Sequence, residues 1–424
     1  MLKQKNKFNY FYSFFKVFLV RTFYLFAFLF ICVIPYPYNV IPKISSLVLP
    51  FFETATNCIG AIFFKEKPSF FFAVNSDTLG LYLLVLLLLI TSLSIAFIWT
   101  CFFTTNQKKF FKTYYWTRVT MSYYLALQLL IYGFDKVFKH QFYLPEPNTL
   151  YTPLGYLTKD ILYWSTMGAS YSYTVFSGVI EVLSAIFLLF RQTRIIGAIL
   201  SIAIMTHVLM LNFSFDISVK VFSAFLLLLS LFISFTFLKK NIRYFLFNET
   251  IAVDFYQISA SEYPHRIVKK VVKFIMVIII FFEALHNPVS HQNFNDDWQP
   301  RPFLHGAYNT TCCIKNNDTI SLALTDSNYI KRFFIHRQGY FITQSLNDDF
   351  QDYTLHYNIS SNELVIDNSN GTTTTLNYKW NIKDRILRLN FTDGISNTTY
   401  IAKQINLKTL PLLQPCFHWT ADEF

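Results

Sequence analysis

Blocks of about 20 consecutive apolar residues recur through the first two thirds of this chain, each long enough to cross roughly 30 Å of hydrocarbon. The clearest are Leu79 to Phe103, Tyr173 to Phe190, Ile195 to Asn212 and Val219 to Leu238. Val17 to Ile34 is a fifth and carries only Arg21. Tyr114 to Gly133, with Arg118 and Gln128 inside it, and Arg266 to Leu285, with Lys269, Lys270 and Lys273 near one end, complete a set of seven spans. The last two could also lie along the interface as amphipathic helices. The first block is full-length and is followed by Pro35-Tyr36-Pro37, so it reads as an anchor and not as a removable leader. Between the first two spans, Leu47 to Phe52 and Ile59 to Phe64 are too short to cross singly and predict a surface or re-entrant helix.

The lysines and arginines set the orientation. The net charge of +11 resolves into +13 up to His286 (25 basic against 12 acidic residues) and −2 beyond it (11 against 13). With the N-terminus inside, the basic residues concentrate in the inner flanks, at Lys3, Lys5 and Lys7, at Lys108, Lys109 and Lys112, at Arg191 and Arg194, and at Lys239, Lys240 and Arg243. That is the bias of cytoplasmic loops. The chain is therefore expected in the bacterial cytoplasmic membrane, multi-pass, with its tail on the outer side. The basic excess is a topology signal, and no nucleic-acid partner is implied.

Beyond His286 the periodicity changes. Thr319 to Leu324, Tyr353 to Tyr357, Glu363 to Ile366, Thr375 to Trp380 and Arg385 to Phe391 alternate or cluster as strands do, with the turn pairs Asn370-Gly371 and Asp393-Gly394 between them. The expected fold is an α-helical polytopic membrane domain followed by an all-β antiparallel meander or small barrel. A barrel filled by its own side chains is favoured over a lipocalin-like one with a ligand cavity. The boundaries expected are two spans and a long outer loop over 1–115, a four-helix membrane module over 116–238, an inner loop and last span over 239–286, and an extracytoplasmic β domain over 287–424.

Ionisable groups inside a bilayer are costly and mark partners or cavities. Glu181 stands in mid-span between Gly178 and Ser184. By a rise of about 1.5 Å per residue, His207 and Gln128 lie within about one turn of its depth. These three are the candidate catalytic residues, a proton-handling or polar-ligand cluster at the midplane. A structural role for each, bridging neighbouring helices, is the alternative. Tyr132, Lys136, Asn212, Asp216 and Lys220 mark an outer rim and are candidate substrate-binding residues. Asp216 and Lys220 have helical i,i+4 spacing, and Asp216 could also favour the positive end of the sixth span.

Several of these residues resemble the DoxX family of membrane proteins, in particular its long bacterial members with an exposed C-terminal domain. The similarity covers about residues 116 to 236. It rests on Tyr132-Gly133-Phe134-Asp135-Lys136 with Gln141-Phe142, on Gly178-Val179-Ile180-Glu181, on Leu188 to Ala198, and on Asn212 with Asp216 to Lys220. Cys416-Phe417-His418-Trp419 is similar to the close of the longer members. The resemblance implies a four-helix module in a family associated with quinone-linked oxidation of small sulfur compounds. It points to Lys136, Glu181, Arg191, Asn212, Asp216 and Lys220, with quinone as the cofactor or redox partner to be considered. The extra flanking spans and the tail depart from the minimal family pattern.

Cysteines and motifs add little. Cys32, Cys58 and Cys101 read as packing residues, whereas Cys312 or Cys313 could bridge to Cys416 in an oxidising compartment. No metal site is expected: His286-x4-His291 has Pro288 between its histidines, and Cys416, His418 and His305 form no complete set. No nucleotide, dinucleotide or hydrolase motif is present. Three readings follow: a quinone-linked or redox-associated component, an envelope accessory protein whose β domain binds a protein partner, and, least favoured, a small-solute transporter. Whether the chain is an enzyme stays open.

Overall fold

The computed structural model describes residues 2–34, 38–41, 45–64, 76–103, 107–247, 264–316, 318–320, 329–368, 370–393, 396–414 and 420. It divides into two compact units, one of Met1–Gln141 with Ser172–Phe294, the other of Phe142–Tyr171 with Asn295–Phe424.

The first unit is helical: α1 (Leu2–Val33), α2 (Ser45–Phe64), α3 (Leu79–Phe102) and α4 (Gln107–Val137), then, after two helices of the second unit, α5 (Pro147–Tyr151) and α6 (Lys159–Ala169), the long helices α7 (Tyr171–Leu189), α8 (Arg194–Ser214), α9 (Lys220–Phe247) and α10 (Pro264–Ser290). Seven of them are long and apolar enough to cross a membrane. At most 44% of any such window is buried against protein. The remaining faces present Leu86, Ile90, Ile98, Phe176, Ile199 and Phe235 outward, which places this unit in lipid.

The number agrees with the sequence reading, but its membership differs. α2 qualifies over Ser45–Phe63 because the two short apolar runs join through residues 53–58 into one helix, which also contains Pro50. α4 does not, because Arg118 and the Lys108, Lys109, Lys112 end dilute a helix that nonetheless buries Met121, Leu125, Leu129 and Leu130 in the bundle core. At 31 residues it is about 46 Å long, ample for a crossing. The core is aromatic, with Phe30 stacked on Phe225 at 3.8 Å and Phe23 on Phe232 at 4.0 Å. α10 continues through Pro288 to Ser290, past the Leu285 expected as the end of the last span.

The second unit is a closed antiparallel barrel. Its strands are β1 (Gly306–Lys315), β2 (Asp318–Ile320), β3 (Ile330–His336), β4 (Tyr340–Ser345), β5 (Phe350–Asn358), β6 (Glu363–Asp367), β7 (Thr373–Asn381), β8 (Ile386–Asp393) and β9 (Ser396–Gln404). Neighbours pair in the order β2-β1-β3-β4-β5-β6-β7-β8-β9, and β1 also pairs β9, from Tyr308 opposite Gln404 to Lys315 opposite Thr398. Eight strands close the barrel, and β2 is an extra strand hairpinned onto β1. Period-2 alternation drives it: Leu376 and Tyr378 of β7 are buried, whereas Asn377 and Lys379 are exposed. Phe333, Ile335, Phe341, Leu355, Leu364, Leu387 and Leu389 share one buried cluster with Tyr308, whose ring stacks on Phe333 at 5.0 Å. Bulky side chains thus occupy the interior, as expected for an eight-stranded barrel. Gly371, with φ of +76°, makes the turn expected at Asn370-Gly371. The turn expected at Asp393-Gly394 and most of the strand expected over 319–324 lie outside the described residues.

Residues 142–171 cluster with this barrel and not with the helices, so the stretch 116–238 is not one structural module. α5 lies on the barrel's outer wall, where Tyr151 meets Phe334 at 5.9 Å between ring centroids. α6 folds back on the preceding segment: Phe142 meets Trp164 at 5.1 Å, and a Cβ added at Gly168 would lie 2.1 Å from the Tyr143 carbonyl oxygen.

Candidate functional site

On α4, Gln128, Tyr132 and Lys136 recur every four residues and line one side of the helix. On α7, Thr174, Gly178, Glu181, Ser184, Ala185 and Leu188 form the buried side. The two helices meet at glycines. A Cβ at Gly178 would lie 2.6 Å from the Gly133 carbonyl oxygen and 2.9 Å from the Lys136 Cβ, so the backbones touch there. That approach lets Lys136 Nζ reach both carboxylate oxygens of Glu181 at 2.7 Å. The ammonium also lies 5.9 Å from the Tyr132 ring centroid. Both charged side chains are buried. Removing one partner of such a pair costs about 3–5 kcal/mol, yet an apolar pair of equal volume is often as stable as the intact ion pair. Stability alone does not account for the pair.

Gln128 sits two turns before Lys136, fully buried, and neither its Oε1 nor its Nε2 has a hydrogen-bond partner among the described residues. Each unmet polar group costs about 1–3 kcal/mol. Lys136 and Glu181, with Gln128 two turns along the same side of α4 from Lys136, are therefore buried polar groups inside an apolar bundle, able to donate to a carbonyl, to accept from a hydroxyl and to hold a proton.

The other expected residues are dispersed. His207 is on an exposed face of α8, away from the side carrying Gly197, Ala198, Ser201 and Met205. Its depth matched that of Glu181, but depth does not fix direction around a helix, so the three-residue midplane cluster does not form. Asn212 donates from Nδ2 to the Ser223 hydroxyl at 3.0 Å, linking α8 to α9. Asp216 pairs with Lys220 at 2.9 Å, but its side chain is 84% exposed, and such a pair contributes about 0–1 kcal/mol. The α9 N-terminus is capped by Asp77 instead, whose carboxylate accepts from the Lys220 and Val221 amides at 2.6 and 3.0 Å. Arg191 is exposed in the turn after α7.

A search against known family models finds no match. Over 112 residues the chain is 30% identical to the protein named "Uncharacterized protein YwoB" of Bacillus subtilis (strain 168), which covers 26% of this chain and 71% of that relative. The chain belongs to the family of YwoB. That relative's name carries no activity, and no solved structure matches.

Two carboxylates escaped the sequence reading. Glu283 of α10, fully buried, accepts from the consecutive backbone amides of Asn39, Val40 and Ile41, at 2.8 Å for Ile41, and so fastens the segment after α1 to α10. The signal was an acidic residue inside an apolar span. In the barrel unit, Glu146, buried at the start of α5, gathers His305 Nε2 at 3.0 Å, His336 Nε2 at 3.8 Å and the Arg337 guanidinium. Arg337 also donates to Asp296 at 2.6 Å and stacks over Tyr143 at 4.0 Å. Burial pushes the Glu146 carboxyl up, but the His305 hydrogen bond and the charges of Arg337 and His336 outweigh it and bring it down to about 2. Burial lowers His336 as well. This hub joins residues 142–171 to the barrel strands, and a glutamate in a polar loop gave no sequence sign of it.

Among the described residues no three His, Cys, Asp or Glu side chains stand together as metal ligands do. Cys312 and Cys313 are successive residues of β1, the second buried, and Cys416, the proposed disulfide partner, lies outside the described residues, as does His418.

Proposed function

We propose that this chain is a DoxX-like, quinone-linked or redox-associated component of the bacterial cytoplasmic membrane, with Lys136, Glu181 and Gln128 as its polar site. The observation that carries this reading is the buried ion pair together with a buried amide, two turns away on α4, that meets no partner among the described residues. A quinone headgroup suits that donor set: the Lys136 ammonium and the Gln128 amide would donate to carbonyl oxygens, Tyr132 would line the ring, and Glu181 would hold a proton within reach. Quinone supplies the electron chemistry when bound; these residues bind it, orient it and exclude water. In lipid extracts of the purified protein a quinone is expected, and Glu181→Gln should lower quinol-dependent electron transfer at least tenfold, about 1.4 kcal/mol or more of barrier. An extract without quinone, together with unchanged electron transfer in Glu181→Gln, would overturn the proposal.

The composition of the barrel unit supports an orientation. Because 142–171 and 295–414 fold together, the end of α4, the start of α7 and the end of α10 belong on one side of the bilayer. Four candidate crossings, α7 to α10, return the chain to that side. The side of the N-terminus then turns on α2 alone. The basic N-terminal flank of Lys3, Lys5 and Lys7 favours the inner side, with the barrel outside and α2 entering the bilayer without crossing. A second reading, an envelope accessory protein that binds a protein partner through its barrel, is favoured by the filled interior, which leaves the outer surface for recognition.

A further inference from the structure

We propose that residues 154–164 form a second membrane contact, a patch seated in the headgroup region of the bilayer. Within this stretch Leu154 is 70% exposed, Tyr156 79%, Ile161 42% and Trp164 36%. These side chains are displayed on a fixed support. The C-terminal part of α6 buries Met167 and Gly168, the latter against the Tyr143 carbonyl, and Phe142 holds Trp164 and Tyr163 edge-on at 5.1 and 5.8 Å.

Chain continuity identifies the occupant. α6 ends at Ala169, the extended Ser170 follows, and the span-forming α7 begins at Tyr171. A helix of 11 residues is about 16 Å long and one extended residue adds about 3.5 Å, so every residue of α6 lies within about 20 Å of the first residue of a membrane span. Tyr171, Tyr173 and Phe176, in the first turns of α7, are exposed as well. Tyrosine and tryptophan mixed with leucine and isoleucine at the end of a span is the composition of the interfacial belt, where an apolar ring meets lipid and its polar edge meets water. Lys159 and Asp160 offset each other, so the attraction is apolar and should not depend on headgroup charge. A protein partner on this surface would have to displace the bilayer from a segment tethered to it. The inference rests on the membrane setting of α7 and not on any redox role.

The test places a photoreactive benzoylphenylalanine at Tyr156, at Ile161 and, as the water-facing control, at the exposed Thr372 in the full chain, reconstituted in phosphatidylcholine vesicles. Lipid adducts at 156 and 161 should exceed those at 372 by about tenfold or more, as for interfacial burial of an apolar face. A chain that elutes as a single folded species confirms that each substitution is tolerated, and two positions keep the result from depending on one. Adducts at 156 and 161 to a second copy or another protein, or lipid adducts no more abundant than at 372, would overturn the proposal.

Discussion

Gln128 and Glu181 are both polar groups in an apolar bundle, but the structure treats them differently. Glu181 was legible because a carboxylate in mid-span is conspicuous, and the structure confirms that it is buried and paired. Its partner was not legible as such. Lys136 stood in the sequence as a rim residue, and only the glycine contact between α4 and α7 brings it inward. His207 failed for the complementary reason, since residue counting gives height along a span but not the direction in which a side chain faces. Gln128 makes the more discriminating prediction. Replacing it with leucine removes two unmet polar atoms and should raise stability by about 1–3 kcal/mol, measured as the thermal midpoint in detergent, while reducing the quinone retained through purification. A residue kept only for packing would show the gain in stability without the loss of ligand.

Helix contacts in the bundle depend on small residues, as expected where apolar burial cannot distinguish protein from lipid. Ser184 donates to the Gly197 carbonyl at 2.9 Å between α7 and α8, and Ser201 and Ser230 meet at 2.7 Å between α8 and α9. Gly178→Leu should therefore lose more than about 2 kcal/mol and separate Lys136 from Glu181, read as a lower unfolding midpoint in detergent, whereas a leucine on the lipid face at Val179 should change little. The strands are easier to read than α2 or α5, because alternation persists over a whole strand, whereas the polar stretch 53–58 divides the apolar pattern of α2 and α5 is only five residues. The grip of α5 on the barrel is pH-dependent. Glu146 titrates below its ordinary value, so its contribution is present above about pH 4.5 and lost as the pH falls toward 2, by up to about 3 kcal/mol. His336 is depressed, so its protonation below its ordinary value also costs the folded state. Both act in the same sense. Hydrogen exchange in residues 147–151 of the full chain should accelerate on acidification, and Glu146→Gln should flatten the part below pH 4.5.

The sequence indicated a membrane part and a β part from a single change of hydrophobic period, and both are present. It did not indicate that the β part also takes in residues 142–171, because these fall inside the module expected over 116–238 and their partners lie far along the chain. That assignment makes the orientation testable with single cysteine labels in a cysteine-free background. Thr158 and Thr372 should be labelled from the same side, and Gln192, one crossing away between α7 and α8, only from the other. A label on the N-terminus then reports whether α2 crosses. Labelling of Thr158 and Thr372 from opposite sides would be incompatible with one folded unit. The divided make-up of that unit also has a consequence in time. Residues 142–171 leave the ribosome well before β9, and at about 5–20 residues per second the wait is on the order of ten seconds or more. Glu146 is without its guanidinium partner until Arg337 is made 191 residues later, and α5 is without a closed barrel until β9 follows. A nascent chain stalled before Gln404 leaves the seam between β1 and β9 open, so the last strand to be synthesised closes the barrel on which a segment made some 230 residues earlier packs.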